Sequence, residues 1–282
     1  MVVAVVGLGL IGGSVGLGLI ESGFASHVVG YDRDLNVAYD AQARGCVHDV
    51  VSELCRLPEA SLVVLAPPPR AVGSCFVQLI ETVGPTTAIT DCCSVKRTVM
   101  AEVPPALRAH FVGGHPMAGL HVSGAQHARS DLFRDAWWVL STYAETDVTA
   151  LRRVESMVYA LDARPVQLDP HDHDEHVALL SHLPHVLAAV LVQMGERLPG
   201  QFIAGGSWRD LTRVAGSPPP LWEEILSANR HAVGEALAQL RAELELFECV
   251  LATDDHDALR RYLTDAVAAR HRLGGQASRE SG

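Results

Sequence analysis

Residues 2–14 read VVAVVGLGLIGGS, which joins five apolar residues to a turn built on Gly7, Gly9 and Gly12. The apolar residues predict a β-strand, and the spacing after the turn predicts a helix over residues 14–22. In such a turn the first glycine permits the tight bend, the second lets a diphosphate approach the backbone, and the third lets the helix pack closely on the strand. The free N–H groups of the helix N-terminus favour an anion. The stretch therefore predicts a dinucleotide site whose contacts are Gly7, Leu8, Gly9, Leu10, Ile11 and Gly12.

A carboxylate stands where such a site would hold the adenosine ribose. Asp32 ends the second apolar run, 20 residues after Gly12. An acidic side chain there accepts hydrogen bonds from the ribose hydroxyls and repels a 2′-phosphate, so Asp32 favours NAD over NADP. Arg33 follows directly and would pair with a 2′-phosphate if Asp32 turned away. We therefore expect NAD as the cofactor, with NADP as the open alternative and both residues as contacts.

The first 168 residues alternate β-branched runs with amphipathic stretches. This alternation is typical of βαβ units and of a parallel sheet. It predicts a further helix over residues 95–103 and strands over residues 2–6, 27–31, 62–66, 88–91, 111–113, 137–141 and 164–168. We therefore predict an α/β protein, with a doubly wound, Rossmann-type nucleotide-binding domain over residues 1–168 and an all-helical C-terminal domain after it.

The second part of the chain is rich in Leu, Ala, Glu and Arg, and it predicts a helical domain for substrate binding and dimerisation over residues 169–273. Asp172 or Asp174 is expected to cap its first helix, and Pro184 to kink that helix. Residues 221–251 predict one long helix with a heptad-like apolar seam, which suits either a core helix or a subunit interface. The tail, residues 274–282, is expected to be disordered.

The composition excludes several classes of partner. The chain carries 22 Lys and Arg against 33 Asp and Glu, a net charge of −11, which argues against binding to nucleic acid or to an anionic membrane. Its six cysteines lack the spacing of a zinc site or a disulfide framework. The sequence shows neither a signal-peptide pattern nor an uninterrupted apolar run of about 20 residues, the length that a spanning helix requires. We therefore expect a cytoplasmic protein.

Some polar residues suit chemistry and also suit plainer roles. His115 follows a predicted strand in a glycine-flanked turn, where open α/β sheets bind ligands, and it would serve either as an acid–base group or as a buried, hydrogen-bonded histidine. Ser94 would equally cap a helix that starts at Val95. Arg213 suits bidentate carboxylate binding or a surface ion pair. Residues 169–176, DPHDHDEH, have the residue types of a metal site, but we expect no metal and interpret the residues other than His173 and Asp174 as a solvated helix start.

Five segments, in this order and spacing, resemble the prephenate and arogenate dehydrogenase family over nearly the whole chain. They are GLGLIGGS at residues 7–14, DCCSVK at 91–96, HPMAG at 115–119, SHLPH at 181–185 and GSWRDLTRVAGSPPPLW at 206–222. The resemblance implies that His115 hydrogen-bonds the substrate's ring hydroxyl and takes its proton, and that Ser94 contacts this hydroxyl and the nicotinamide. It also implies that Arg213 clamps the substrate carboxylate and that His182 and Trp222 lie beside the same pocket, although plain core packing also suits Trp222.

The resemblance also implies an activity. It is NAD-dependent oxidative decarboxylation of prephenate to 4-hydroxyphenylpyruvate, a step of tyrosine biosynthesis, by a homodimer that associates through its helical domain. After HPMAG, Leu120 and His121 replace a small polar residue and a charged one that family members often carry. Because this difference affects side-chain recognition, arogenate and 4-amino-4-deoxyprephenate stay alternative substrates. We expect no further domain before residue 1 or after the last helix, so feedback by tyrosine would act at the active site.

Two other functions are compatible with the nucleotide motif. A β-hydroxyacid dehydrogenase-like oxidoreductase would commonly use a lysine on the helical domain, but Lys96 is the sole lysine of this sequence and lies in the first domain. A non-catalytic NAD-binding protein would retain the glycines without needing His115, Ser94 and Arg213 together. Formation of NADH with prephenate would distinguish the enzyme from this binding protein.

Overall fold

The computed structural model describes residues 1–120, 122–200 and 203–279, with side chains described as far as residue 273. The chain divides into two compact units, Met1–Val233 and Gly234–Gly282. The first unit contains a sheet of eight strands in the order β3-β2-β1-β4-β5-β6-β7-β8. Neighbouring strands are parallel except for the antiparallel pair β6 and β7. The strands are β1 Val2–Val6, β2 His27–Tyr31, β3 Asp49–Val50, β4 Leu62–Leu65, β5 Ala88–Asp91, β6 Phe111–Pro116, β7 Trp137–Ser141 and β8 Arg164–Gln167.

Helices follow most of the strands and make up the C-terminal part of the chain. They are α1 Leu10–Glu21, α2 Leu35–Ala43, α3 Pro69–Leu79, α4 Arg97–Glu102, α5 Val148–Ala160, α6 Pro170–Val177, α7 Leu183–Glu196, α8 Gly206–Thr212, α9 Pro219–Ala228, α10 Arg230–Ala252 and α11 His256–Arg279. Between α6 and α7 the backbone forms a π-helical segment, Ala178–His182.

Both faces of the sheet are covered, which explains why the central strands β1 and β4 are apolar at every position. Side chains alternate along a strand, so Val3 and Val5 of β1 pack on one face while Ala4 and Val6 pack on the other. The first face is covered by α1, α2 and α5, and the second by α3 and α4. This arrangement confirms the predicted doubly wound α/β fold followed by helices.

Four predicted strands have their predicted bounds, namely β1, β2, β5 and β7. The predicted end of β6 at residue 113 is wrong, because the strand continues to Pro116 and His115 pairs with Val139 of β7. His115 therefore lies within a strand and not in a turn after it. The two-residue strand β3 was not predicted, since so short an edge strand has no periodicity to detect.

The first helix of the C-terminal part begins earlier than predicted. Asp169 caps it, because its side chain accepts a hydrogen bond from the backbone N–H of His171, and Pro170 is the first helical residue. The prediction that Asp172 or Asp174 caps this helix is wrong. The expected distortion near Pro184 takes the form of the π-helical segment directly before α7, where the proline has no N–H to donate.

The predicted single helix over residues 221–251 is wrong, because it consists of two helices. α9 ends at Ala228, α10 begins at Arg230, and Asn229 between them uses its side chain for hydrogen bonds to other elements. Asparagine is well suited to a helix end, since its side chain competes for backbone hydrogen bonds.

The second unit contains the later part of α10 and all of α11. The rings of Phe247 and Tyr262 pack at 5.1 Å between their centroids, and Asp255 caps α11 through the N–H groups of Asp257 and Ala258. The backbone of residues 274–279, predicted to be disordered, is helical in α11. Residues 280–282 of that predicted tail lie outside the described residues.

The continuous helical stretch Pro170–Glu196 is 27 residues long and is apolar enough, by length and composition, to cross a membrane. Core helices of soluble proteins pass the same test. This helix carries four buried polar side chains, which are those of His173, Asp174, His182 and His185. One such helix is weak evidence of a membrane span, and 33% of its apolar window is buried inside the protein.

Candidate active site

The glycine turn has the geometry that a dinucleotide requires. Gly7 adopts a positive φ of 88°, and a Cβ atom on it would lie 2.7 Å from the backbone of Ala66 at the end of β4. A Cβ on Gly12 would lie 1.9 Å from the carbonyl oxygen of Gly7, so only glycine lets α1 approach the turn. A Cβ on Gly9 would meet nothing within 4 Å, which leaves the face of the turn open to a ligand.

Asp32 lies directly against this turn. Its Oδ2 accepts a hydrogen bond of 2.8 Å from the backbone N–H of Leu8, and its Oδ1 accepts one of 3.0 Å from Asp34. The predicted ribose carboxylate and the predicted diphosphate loop are therefore adjacent. Arg33 is exposed beside them. The residues present fit a bound NAD.

A buried ion pair lies at the carboxyl ends of the neighbouring strands β5 and β6. The Nζ of Lys96 donates to Asp91, and both side chains are fully buried. The same Nζ donates to the carbonyl oxygen of Gly114 at 2.6 Å, and Asp91 accepts from the N–H of Gly114 at 2.9 Å and of Cys93 at 2.9 Å. These bonds fix the strand segment that carries His115 to the loop that contains Ser94.

Asp174 of α6 connects this loop to the helical part of the chain. Its Oδ1 accepts a hydrogen bond of 2.7 Å from the backbone N–H of Lys96, and its Oδ2 accepts one of 3.0 Å from that of Arg97. Asp174 therefore satisfies N–H groups at the start of α4 that have no partner within the helix. Ser94 does not cap a helix at Val95, because α4 starts at Arg97. The carboxylate of Asp174, from α6, accepts the hydrogen bonds at the start of that helix instead. Oδ1 of Asp174 also lies 2.7 Å from Nδ1 of His173.

The chain of hydrogen bonds continues to His115. Nε2 of His173 lies 2.8 Å from Nδ1 of His115, and the two rings meet edge to face. His173 is fully buried and His115 is 9% exposed. Asp174, His173 and His115 thus form a hydrogen-bonded series. Nδ1 of His115 takes part in it, and Nε2 of His115 does not.

The ionisation of this series follows from burial and hydrogen bonding. Burial alone would raise the pKa of Asp174, but hydrogen bonds from His173 and from the N–H groups of Lys96 and Arg97 outweigh it and hold that pKa below its usual value. Burial lowers the pKa of His173 more than the bond to Asp174 raises it. Burial, followed by the nearby His173, Lys96 and His182, holds the pKa of His115 well below its usual value. At neutral pH both histidines are uncharged and Asp174 is ionised.

His182, in the π-helical segment, is held by Asn229. The Nδ2 of Asn229 lies 3.2 Å from Nδ1 of His182, and it also donates to the backbone oxygen of Asp174 at 2.7 Å. Because an amide nitrogen only donates, Nδ1 of His182 accepts and Nε2 of a neutral His182 carries the proton. Burial lowers the pKa of His182 to about 4, so this ring stays neutral at physiological pH.

The ring of Trp222, in α9, packs against His182 and His185. Its ring stacks on His185 with 3.5 Å between centroids, and it meets His182 edge to face at 6.0 Å. The structure therefore brings Trp222 and His182 together as predicted neighbours. Their contact with a substrate stays a prediction.

Arg213 is exposed and follows α8, in a turn that packs along α7. α7 continues the π-helical segment that carries His182. The hydrogen-bonded series from Asp174 to His115 does not include Arg213, so its convergence with His115 on one substrate stays a prediction. Ser94 is half-buried in the loop that follows β5. Leu120 is exposed after HPMAG, and His121 lies outside the described residues.

Sequence reasoning missed the roles of three residues. Asp91 is a charged residue that ends a buried strand, which is a signal for a buried ion pair, and Lys96 is the sole lysine of the sequence. Asn229 interrupts an apparently continuous helical pattern, and no local pattern shows that its partners lie 47 and 55 residues earlier.

Three residues of the segment 169–176 could hold a metal ion by the positions of their ligand atoms. Among the described residues, ligand atoms of His171, Asp172 and Glu175 lie within 4.8 Å of one another, and all three side chains are exposed. His173, by contrast, points both of its ring nitrogens at protein partners. Exposed acidic groups commonly cluster without an ion.

Comparison with known proteins identifies the chain. The family model for the nucleotide-binding domain of prephenate dehydrogenase matches residues 15–167, and that for the dimerization domain of prephenate dehydrogenase matches residues 169–265. The chain belongs to the prephenate dehydrogenase family. It is thus a member of an oxidoreductase family, in agreement with the resemblance of its five segments.

Individual relatives extend over nearly the whole chain. The prephenate dehydrogenase of Bacillus subtilis (strain 168) is 31% identical over 277 residues, which are 95% of this chain and 74% of that protein. A crystal structure of prephenate dehydrogenase from A. aeolicus in complex with hydroxyphenyl propionate and NAD+ superposes with a TM-score of 0.90 at 26% identity, over 97% of this chain and 98% of that one. The arogenate dehydrogenase of Synechocystis superposes with a TM-score of 0.85 at 29% identity, over 97% of this chain and 100% of that one.

The open face at Gly9 yields a prediction for cofactor binding. Gly9→Ala adds a methyl group where nothing in the protein obstructs it, so we expect an unchanged melting temperature. The same methyl group would obstruct the approach of a diphosphate to the backbone, so the Kd for NAD, measured by calorimetry, should rise at least about tenfold. Gly234→Ala, also unobstructed but on α10, is the control and should leave the Kd unchanged. Equal affinities of Gly9→Ala and the unaltered protein would contradict the assignment of the turn.

The buried ion pair yields a prediction for stability. Lys96→Met leaves the buried Asp91 carboxylate and the Gly114 carbonyl without their donor, so the free energy of unfolding in urea should fall by about 3–5 kcal/mol. Arg70→Met is the control, since its pair with Glu223 has exposed fractions of 61% and 57% and should contribute under about 1 kcal/mol. Similar losses in the two variants would show that the Lys96 pair does not hold the strand ends together.

Proposed function

We propose that this protein is a prephenate dehydrogenase that uses NAD to convert prephenate to 4-hydroxyphenylpyruvate with loss of CO2. The observation that carries this proposal is the neutral, buried His115, seated at the carboxyl end of β6. A base is required there because oxidation of a ring hydroxyl releases its proton. NAD, when bound at the glycine turn and Asp32, supplies the hydride acceptor.

Five residues of the chain take separate roles in this proposal. His115 accepts the hydroxyl proton at Nε2, and Ser94 positions the same hydroxyl beside the nicotinamide. Arg213 pairs with a substrate carboxylate through its planar fork, which supplies positive charge in a protein whose net charge is −11. His182 donates from Nε2 to an oxygen of the substrate, and Trp222 keeps its ring in place. Positioning and charge complementarity thus account for the contribution of the protein.

Arogenate is the second candidate substrate, and 4-amino-4-deoxyprephenate the third. The similarity to the arogenate dehydrogenase of Synechocystis and the unusual Leu120 and His121 after HPMAG favour testing them. The Asp32 carboxylate at the glycine turn supports NAD over NADP, because it would repel a 2′-phosphate.

The domain boundary and the assembly belong to the same proposal. We place the boundary at residue 168, where the two family models meet. A homodimer through the helical domain is supported by the description of the second family model and by exposed apolar side chains at Leu251, Leu263 and Val267. A small acidic substrate and a strongly acidic chain suit a cytoplasmic enzyme without a nucleic-acid or membrane partner.

The activity is tested by the absorbance of NADH with each of the three acids and with each cofactor. We expect the highest kcat/KM with prephenate and NAD. His115→Asn should lower kcat by roughly two to four orders of magnitude with little change in KM, because it removes the base and leaves the binding contacts. His176→Asn, an exposed histidine on α6, is the control. No NADH from any acid would reject the proposal, and an undiminished kcat in His115→Asn would remove this residue from it.

The proposed role of Arg213 is tested by steady-state kinetics. Arg213→Ala should raise the KM for prephenate at least about tenfold with a smaller effect on kcat, since a charge-assisted pair contributes about 1.5–3 kcal/mol. Arg213→Lys, which keeps the charge but loses the fork, should give an intermediate KM. Arg209→Ala, on the exposed surface of α8, is the matched control. An unchanged KM in Arg213→Ala would assign the carboxylate to another group.

A further inference from the structure

The series Asp174–His173–His115 fixes more than the positions of its members. An ionised carboxylate only accepts hydrogen bonds, so the Nδ1 of His173 that lies 2.7 Å from Asp174 carries a proton. In the neutral ring the other nitrogen, Nε2, then has a lone pair and no proton. Its contact of 2.8 Å with Nδ1 of His115 is a hydrogen bond only if His115 donates.

This requirement determines the tautomer of His115. Its proton lies on Nδ1, and its Nε2 has a free lone pair. That tautomer is the one able to accept a proton at Nε2. We infer that Asp174 and His173 are positioning residues that hold His115 in its proton-accepting tautomer and stabilise the imidazolium formed when it accepts the substrate's proton. The inference rests on the proposed role of His115 as the base.

The proton balance of the step is simple. The O–H bond of the substrate hydroxyl breaks and a new N–H bond forms at Nε2 of His115. The electron pair left on oxygen forms the C=O double bond as a hydride leaves the hydroxyl-bearing carbon, and NAD, when bound, would accept that hydride. The positive charge on His115 is then one neutral, polarisable ring away from the Asp174 carboxylate. Asp174 stays ionised throughout, because three hydrogen bonds from His173, Lys96 and Arg97 stabilise its charged form.

The surroundings of His115 make this support necessary. Lys96 and His182 face it, and burial removes solvent that would otherwise stabilise a charged ring. A base in such a place would be weak without a carboxylate within reach through a hydrogen bond. The Asp174 carboxylate supplies that negative charge, and its contact with the start of α4 keeps it in place.

A plainer role would be structural, since Asp174 also joins α6 to α4. The tautomer and kcat together separate the two roles, because variants of residues that only join α6 to α4 would lose stability without a new tautomer of His115 and without a loss of kcat. The nitrogen resonances of His115, assigned by their absence in His115→Asn, report the tautomer in the protein without substrate.

The experiment compares the whole protein with His173→Phe, which keeps a ring but has no nitrogen, and with Asp174→Asn. In the unaltered protein we expect a proton on Nδ1 and none on Nε2 of His115. In both variants the proton should redistribute to Nε2, and kcat should fall about 10- to 100-fold with KM changed less than about threefold. His171→Phe, an exposed residue of the same helix, is the matched control and should change neither quantity.

The outcomes separate this inference from the proposed function. A proton on Nε2 in the unaltered protein, or an unchanged tautomer or kcat in His173→Phe, overturns the inference even if prephenate is oxidised. If Asp174→Asn lowers only the melting temperature, Asp174 is structural and the inference fails for it. The expected tautomer in a protein that oxidises none of the three acids would reject the proposed function and leave the tautomer assignment intact.

Discussion

The buried carboxylate of Asp174 is the constraint on which the site depends. It accepts two backbone N–H groups at the start of α4 and one ring N–H from His173, and it is 2% exposed. A buried charge is costly unless hydrogen bonds satisfy it, so the three donors and the carboxylate hold one another in place. Through them the helical part of the chain is joined to the loop that follows β5.

A second buried charge fixes the other side of that loop. Lys96 and Asp91 pair without any exposure, and both bond to the backbone of Gly114, one residue before His115. Loss of either partner would leave the other charged and buried, which is costly in free energy. The imidazole of His115 is therefore positioned from two directions, through its own backbone and through His173.

The two site histidines end up with opposite hydrogen-bonding character. In the tautomer that we infer, His115 donates from Nδ1 toward His173, while His182 accepts at Nδ1 from Asn229. One ring thus offers a lone pair at Nε2 and the other offers an N–H. Burial keeps both neutral, since it lowers the pKa of each ring. An asymmetric pair of this kind suits a substrate that gives up a proton at one end and needs a hydrogen bond at another.

The sequence by itself determined the glycine turn, the doubly wound α/β fold and the family, and it predicted Asp32 as the ribose carboxylate, because these depend on short local patterns and on the order of such patterns along the chain. Only the tertiary structure decided that β6 reaches Pro116, that Asn229 breaks a long helix, and that His173 and Asp174 support His115. The last two depend on contacts between residues 47 to 78 positions apart, such as His173 with His115 and Asp174 with Lys96. The length of β6 depends on its pairing with β7, for example of His115 with Val139. Local spacing carries no information on such pairs, since their hydrogen bonds form only when the helices pack against the ends of the strands.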